Sequence, residues 1–134
     1  MNLRIKIFAD GANLEEMKAV YQKKLVQGFT TNPTLMRKAG IADYEAFARS
    51  VLSEIKDLPI SFEVFSDELP EMIRQARKIS TWGENVYVKI PVTNTSRKPT
   101  TEIVRELSGE GVRLNVTALL TLDQVRAVTE ALSP

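Results

Sequence analysis

Val86-Tyr87-Val88-Lys89-Ile90-Pro91-Val92 is the stretch that decides the fold, because β-branched and apolar residues surround a single lysine in it. Apolar runs of this length are typical of strands that are buried on both faces, as in a parallel sheet. Burial would remove water from Lys89 and lower its pKa, and a neutral amine in a dry site can attack a ketone to form an imine. Alternatively, Lys89 lies at the end of the strand and pairs with a carboxylate or extends into water.

Strand and helix patterns alternate on both sides of this stretch. The predicted strands are residues 5–9, 28–31, 60–65, 86–91 and 112–117. Apolar stripes with helical spacing follow them, and the predicted helix caps are Asn13, Asp43, Ser66 or Asp67, and Thr121. Five successive strand–helix units predict a parallel α/β fold, either an open doubly wound sheet or part of a (β/α)8 barrel. No GxGxxG motif follows a strand, so a dinucleotide site is unsupported.

The composition restricts the chemistry of the chain. Its 134 residues include no histidine and no cysteine. This removes the usual general base, thiolate nucleophiles, zinc sites built from these residues, and disulfides. The carboxylates show no spacing typical of a metal-binding loop, so we predict neither a metal nor a cofactor. Lysine, carboxylates, hydroxyls and amides remain for any catalytic role.

Charge and hydropathy bear on partners and location. The chain has 18 basic and 17 acidic residues, which give a net charge of +1, and no basic stripe points to nucleic acid. No apolar segment is long enough to predict a membrane span, and the N-terminal segment lacks a signal-peptide pattern. With the lack of cysteine, this favours a cytoplasmic protein without a membrane partner.

Polar residues recur near the C-terminal ends of the predicted strands, where parallel β/α folds carry their chemistry. These residues are Asp10, Thr30, Thr31, Asn32, Glu63, Lys89, Asn115 and Thr117. An amine, carboxylates and amides together suit a carbonyl substrate with several hydroxyls, since carboxylates move protons and amides orient hydroxyls. Structural interpretations also exist: Asp10 can cap a helix, Asn32 can occupy a turn, and the others can be surface or internally satisfied polar groups.

Four segments resemble the transaldolase family. They are FADGANL at residues 8–14, GFTTNPTL at 28–35, VYVKIPVT at 86–93 and GVRLNVT at 111–117. Their order is that of the family, and the resemblance extends along essentially the whole chain. It implies a (β/α)8 barrel fold, of which this chain contains about five βα units, in a single partial domain of residues 1–134.

The resemblance implies metal-free, class I aldol chemistry on small-molecule sugar phosphates. Lys89 would form a Schiff base with a ketose phosphate such as fructose 6-phosphate or sedoheptulose 7-phosphate. Transaldolases pass the resulting dihydroxyacetone unit to an aldose phosphate in the pentose phosphate pathway, whereas the related fructose 6-phosphate aldolases release it. The aldolase relatives tend to have glutamine at the position of Glu63, so the glutamate favours the transferase.

The resemblance also implies roles for the other polar residues. Asp10 would take the proton from the C4 hydroxyl of the donor. Glu63, together with Thr117, would position a catalytic water. The substrate-binding residues would be Asn32, Asn115 and Thr31.

The chain is much shorter than members of that family and contains no sequence for strands six to eight, where the family's phosphate ligands lie. Five strands cannot close an eight-stranded barrel, and an open sheet has two edges with unpaired backbone groups. We therefore expect self-association that covers these edges. The alternative to an active enzyme is a truncated, non-catalytic βα module that acts through self-association.

Overall fold

The computed structural model describes residues 4–133. Its strands are β1 (Phe8–Asp10), β2 (Gly28–Thr30), β3 (Ile60–Glu63), β4 (Val86–Pro91) and β5 (Leu114–Thr117). Its helices are α1 (Leu14–Gln22), α2 (Pro33–Lys38), α3 (Tyr44–Glu54), α4 (Leu69–Ser80), α5 (Thr101–Gly109) and α6 (Leu122–Ala131). None of the helices in this part of the chain has the length and apolar composition that crossing a membrane requires.

Residues 1–3 and 134 lie outside the described part of the chain. All four belong to the predicted partial domain of residues 1–134, and the first three also belong to the N-terminal segment for which we predict no signal peptide. The chain divides into two compact units, formed by the described parts of Met1–Phe62 with Trp82–Val86 and of Glu63–Thr81 with Tyr87–Pro134. The single partial domain stays a prediction.

The strands form a parallel sheet in the order β1-β2-β3-β4-β5. Each strand lies beside the next one in the chain, as in a (β/α)8 barrel. A doubly wound sheet would instead reverse its strand order at a switch point. The predicted barrel family, with about five βα units present, is confirmed, and the doubly wound alternative is wrong.

The core of the first unit lies between α3 and the strands. Ala48, Val51 and Ile55 are fully buried, as are Ile60 and Phe62 of β3. Close packing against neighbouring atoms also explains why β2 begins with a glycine, Gly28. A Cβ atom at Gly28 would lie 2.8 Å from the carbonyl oxygen of Pro59 and closer still to the ring of Phe8, so a larger residue would push the backbone apart.

The core of the second unit is built on one face of β4. Val88 and Ile90 are fully buried, whereas Tyr87, Lys89 and Pro91 between and beside them are half-buried. The prediction that this strand is buried on both faces is therefore wrong. Successive side chains of a strand point to opposite faces, and only one face of β4 is covered completely. Lys89 lies on the half-buried face.

The helix caps test the sequence pattern at single residues. Asn13, Asp43 and Thr121 each accept a hydrogen bond from the backbone N–H three residues ahead, as predicted. Thr121 and Gln124 complete a reciprocal capping box. The predicted cap of α4 is wrong, because Glu68 occupies that position without a side-chain bond. The carboxylate of Asp67 instead binds Thr95.

Other boundaries also differ from the prediction. β1 begins at Phe8 and not at residue 5, since the N–H of Ile7 is bound by the side-chain oxygen of Gln27 at 2.6 Å. β5 begins at Leu114 and not at residue 112. Helix α2 was not predicted, although Asn32 caps it and Pro33 is its first residue. Asparagine followed by proline suits a helix start as well as a turn.

Candidate active site

Lys89 and Glu63 lie beside each other in the second unit. The Nζ atom of Lys89 is 3.6 Å from Oε2 of Glu63, and only 14% and 18% of the two side chains are exposed. The N–H of Val64 donates to the carbonyl of Lys89 at 3.1 Å, which fixes the two strands at this point. The lysine is thus paired with a carboxylate in a poorly hydrated place. At 3.6 Å the contact is an ion pair and not a hydrogen bond, so a proton would pass between the two groups through one water molecule.

Asn115 and Thr117 come from the neighbouring strand of the same unit. In the parallel register of β4 and β5, Lys89 pairs with Asn115, and Pro91 pairs with Thr117. Both residues of β5 are half-buried. Residues two apart on a strand share a face, so this register places an amide and a hydroxyl along one side of β5, beginning next to the lysine. Four of the predicted site residues are thereby gathered in the second unit.

Asp10 is oriented by a hydroxyl of the first unit. It pairs with Thr30 in the register of β1 and β2, and the Oγ1 atom of Thr30 donates to Oδ1 of Asp10 at 2.8 Å. Asp10 does not cap α1, since Asn13 performs that function. The helix-cap interpretation of Asp10 is therefore wrong, and its exposed carboxylate is held at the end of a strand.

Thr31 and Asn32 follow directly after β2 in the first unit. Thr31 is fully buried, and its hydroxyl has no hydrogen-bond partner within residues 4–133. A buried hydroxyl without a partner costs about 1–3 kcal/mol. The side-chain oxygen of Asn32 accepts the N–H of Leu35 at 2.9 Å. This bond uses one of the two lone pairs of the oxygen, and the Nδ2 group of Asn32 remains a hydrogen-bond donor.

A hairpin that directly follows β4 was missed by the sequence prediction. Residues 93–99, the β4 hairpin, are closed by an antiparallel bridge between Thr93 and Pro99. The carboxylate of Asp67 accepts the N–H of Thr95 at 2.8 Å and its hydroxyl at 2.6 Å. These bonds hold the pKa of Asp67 below its usual range. The polar run ending in Pro99 is a turn signal, but the bond to Asp67 is not visible in the sequence.

The match to a known family covers all of these residues. A family model described as transaldolase/fructose-6-phosphate aldolase matches residues 7–133. The chain belongs to this family. The matched range of this transaldolase-family chain includes both polar groups, Asp10 to Asn32 in the first unit and Glu63 to Thr117 in the second.

Curated relatives carry the same family name over part of their length. A probable transaldolase of Dehalococcoides mccartyi is 40% identical over 120 residues, which cover 90% of this chain and 54% of the relative. A probable transaldolase of Streptococcus equi subsp. zooepidemicus is 41% identical over 120 residues, and the match covers 53% of that relative. Probable transaldolase 2 of Listeria monocytogenes is 38% identical over 120 residues, and the match covers 52% of that relative. The transaldolase-family chain thus spans about half the length of the curated relatives it matches.

Proposed function

We propose that this chain performs transaldolase chemistry: the Schiff-base transfer of a dihydroxyacetone unit from a ketose phosphate to an aldose phosphate. Fructose 6-phosphate and sedoheptulose 7-phosphate are the proposed donors, in the pentose phosphate pathway of the cytoplasm. The observation that carries the proposal is the half-buried pair of Lys89 and Glu63, with Asn115 in register beside the lysine. Family membership and the names of the relatives support the same chemistry.

Lys89 would act as the nucleophile, and the imine that it forms would then accept the electron pair of the bond that breaks. The neutral amine of Lys89 attacks the C2 carbonyl of the ketose, water leaves, and a protonated imine forms. The bond between C3 and C4 then breaks, its electron pair moves toward the imine nitrogen, and the C4 hydroxyl loses its proton to a base. An aldose phosphate departs while the dihydroxyacetone unit stays on Lys89. Addition of this unit to a second aldehyde and hydrolysis of the imine complete the transfer.

The other predicted residues would supply proton transfer and orientation. Glu63 can receive a proton from the lysine and, with Thr117, position the water that forms and hydrolyses the imine. Asp10, whose carboxylate is oriented by Thr30, is the proposed base for the C4 hydroxyl. The amides of Asn32 and Asn115 would bind hydroxyls of the donor. We also propose Thr31 as a binding residue, since its buried hydroxyl lacks a partner among the described residues.

The alternative enzyme is a lyase that releases the dihydroxyacetone unit, as fructose 6-phosphate aldolases do. Both enzymes form the same imine, so they differ in what happens after the aldose phosphate departs. The glutamate at position 63 favours the transferase, because the aldolase relatives tend to have glutamine there.

Borohydride trapping tests the proposed function. We expect reduction in the presence of fructose 6-phosphate to leave one dihydroxyacetone-sized mass increase, which maps to Lys89. Erythrose 4-phosphate should then lower the trapped fraction and yield sedoheptulose 7-phosphate, which identifies a transferase. Free dihydroxyacetone as the main product would identify the lyase, and a folded chain that traps no ketose would refute both activities.

Exposed apolar residues favour a second candidate function, association with another copy of the chain. Leu120 is 89% exposed, and Leu122, Val125 and Leu132 on or beside α6 are also exposed. Contiguous exposed apolar surface marks interaction sites, and three of these residues lie within six positions of the chain, from Leu120 to Val125. A second copy is the proposed partner, because the same surface is present on every copy and can pair with itself around a two-fold axis. A non-catalytic module would act through this association alone.

Sedimentation velocity at micromolar concentration tests the association. We expect a dimer or larger species, since the exposed leucines leave water when copies meet. The double variant Leu120→Asp, Leu122→Asp should sediment as a monomer. Ala127→Asp is the control, since it adds a negative charge to an exposed position of α6, and it should leave the association intact. A wild-type chain that sediments as a monomer would contradict the proposal.

A further inference from the structure

The loop between β3 and α4, residues 64–68, begins directly after Glu63 and is held by α4. The side-chain oxygen of Gln75 on α4 accepts the N–H of Phe65 at 2.7 Å and the N–H of Ser66 at 3.0 Å. One side chain thus fixes two successive peptide groups of the loop. The backbone that follows Glu63 is therefore anchored to α4.

The β4 hairpin is fixed in a similar way on the side of Lys89. At its base, the hydroxyl of the buried Thr100 donates to the carbonyl of Pro91 at 2.6 Å. Within the hairpin, the N–H of Asn94 donates to the carbonyl of Lys98 at 3.0 Å, and the side-chain oxygen of Asn94 accepts the N–H of Lys98 at 2.9 Å. The hairpin is therefore closed by its own bonds and attached to the end of the strand that carries Lys89.

Asp67 joins this loop to the β4 hairpin. Its Oδ1 atom accepts the N–H of Thr95 at 2.8 Å, and its Oδ2 atom accepts the hydroxyl of Thr95 at 2.6 Å. Hydrogen bonds to a carboxylate are stronger than those between neutral groups. The backbone carbonyl of Asp67 also accepts the Nδ2 group of Asn94 at 3.3 Å. These bonds connect the segment that follows Glu63 with the segment that follows Lys89.

We propose that Asp67 is a positioning residue, which holds Glu63 and Lys89 at a fixed separation through its bonds to Thr95. A proton moves efficiently only over a hydrogen bond or through one water, so the 3.6 Å between Nζ and Oε2 leaves little room for displacement. A misplacement of about 1 Å can lower a rate about 100-fold. This inference rests on the proposed function, because the separation matters for catalysis only if the amine attacks a ketose.

The rate of imine formation tests the positioning role. The chain is mixed with fructose 6-phosphate, and borohydride is added at successive times. Asp67→Ala removes both side-chain acceptors of Thr95, so we expect the maximal trapping rate to fall about tenfold or more, with the half-saturating concentration of fructose 6-phosphate unchanged. A raised half-saturating concentration at an unchanged maximal rate would overturn the inference, because the bonds would then act on substrate binding.

The variant Asp67→Asn separates the two bonds from the charge of the carboxylate. The amide oxygen can accept the N–H of Thr95, and the amide nitrogen can donate to its hydroxyl, so both bonds can remain while the charge is lost. We expect this variant to recover most of the wild-type trapping rate. A rate as low as that of Asp67→Ala would overturn the inference, because the charge of Asp67 and not its bonds would then matter.

Glu110→Ala is the matched control in the same unit. The carboxylate of Glu110 also accepts two bonds from one side chain, since Nε and Nη2 of Arg77 donate to it at 3.0 and 2.6 Å. These bonds join the C-terminal end of α5 to α4 and involve no residue of a strand. Trapping by Glu110→Ala should therefore equal that of the wild-type chain. Equal losses in Asp67→Ala and Glu110→Ala would overturn the inference, because both would then reflect the stability of the unit.

A second measurement does not depend on a ketose. The nuclear Overhauser effect between the ε protons of Lys89 and the γ protons of Glu63 reports the separation of the pair. We expect this effect in the wild-type chain and in Asp67→Asn, and a weaker effect in Asp67→Ala. If the effect weakened as expected but the wild-type chain trapped no ketose, the transaldolase proposal would be refuted and the positioning role supported. An unchanged effect in Asp67→Ala would overturn the positioning role, even where the wild-type chain traps the ketose.

Discussion

Replacing Lys89 with alanine is expected to abolish trapping of fructose 6-phosphate completely. The imine needs a primary amine at this position, and alanine has none. Intact-protein mass spectrometry after borohydride treatment gives the result directly, and peptide mapping locates any mass increase. The variant should remain folded. Because the lost pair is largely but not fully buried, we expect the free energy of unfolding to fall by about 1–2 kcal/mol.

Two controls separate the chemistry of Lys89 from its charge and from lysine reactivity in general. Lys89→Arg keeps a cation beside Glu63, but a guanidinium stays protonated and cannot attack a carbonyl. It should trap no ketose while keeping more of the wild-type stability than the alanine variant. Lys38→Ala removes an exposed lysine in the last turn of α2 and should trap as wild-type chain does. A mass increase of wild-type size on Lys89→Ala would show that another amine forms the imine.

The alternation of strands and helices could be predicted because its signals are local, whereas the order of the strands in the sheet rested on the family resemblance, since five strand–helix units fit a doubly wound sheet as well. Apolar periodicity and caps such as Asp43 lie within one turn of the residues they organise. The face of β4 that carries Lys89 was predicted less well. Its apolar neighbours suggested burial on both sides, but proline at position 91 and tyrosine at 87 tolerate a half-buried face. Composition alone does not distinguish a covered face from a partly open one.

The remaining features depend on residues that are far apart in the chain. Glu63 reaches Lys89 across 26 positions, from 63 to 89, and Asp67 reaches Thr95 across 28 positions. The sequence placed both Glu63 and Lys89 at strand ends, and the adjacency of β3 and β4 then brings them together. The sequence does not indicate in the same way that Asp67 and Thr95 meet, because loop residues have no fixed register with one another. The same nonlocal bond explains why Asp67 was wrongly predicted as a helix cap.

Replacing Phe62 with alanine is expected to have the largest effect on stability. Phe62 is fully buried, and its ring meets those of Tyr44 and Trp82 edge-on, with centroids 6.0 and 5.8 Å away. Truncation of a buried phenylalanine costs about 3–5 kcal/mol, because it removes apolar contacts and leaves a cavity. That loss is a large part of the 5–15 kcal/mol that is typical for a whole domain. Urea unfolding followed by the fluorescence of Trp82, the single tryptophan, measures it.

Two further variants separate ring packing from buried volume and from aromatic content. Phe62→Leu keeps most of the volume and removes the edge-on ring contacts, so it should cost about 1–2 kcal/mol. Phe65→Ala makes the same change as Phe62→Ala at a residue that is 51% exposed, and it should cost less than about 1 kcal/mol. If Phe62→Ala and Phe65→Ala lowered the free energy of unfolding equally, burial in the first unit would not determine the stability that Trp82 fluorescence reports. A much larger loss at Phe62 would instead place the main apolar contribution to that stability in the cluster of Tyr44, Phe62 and Trp82.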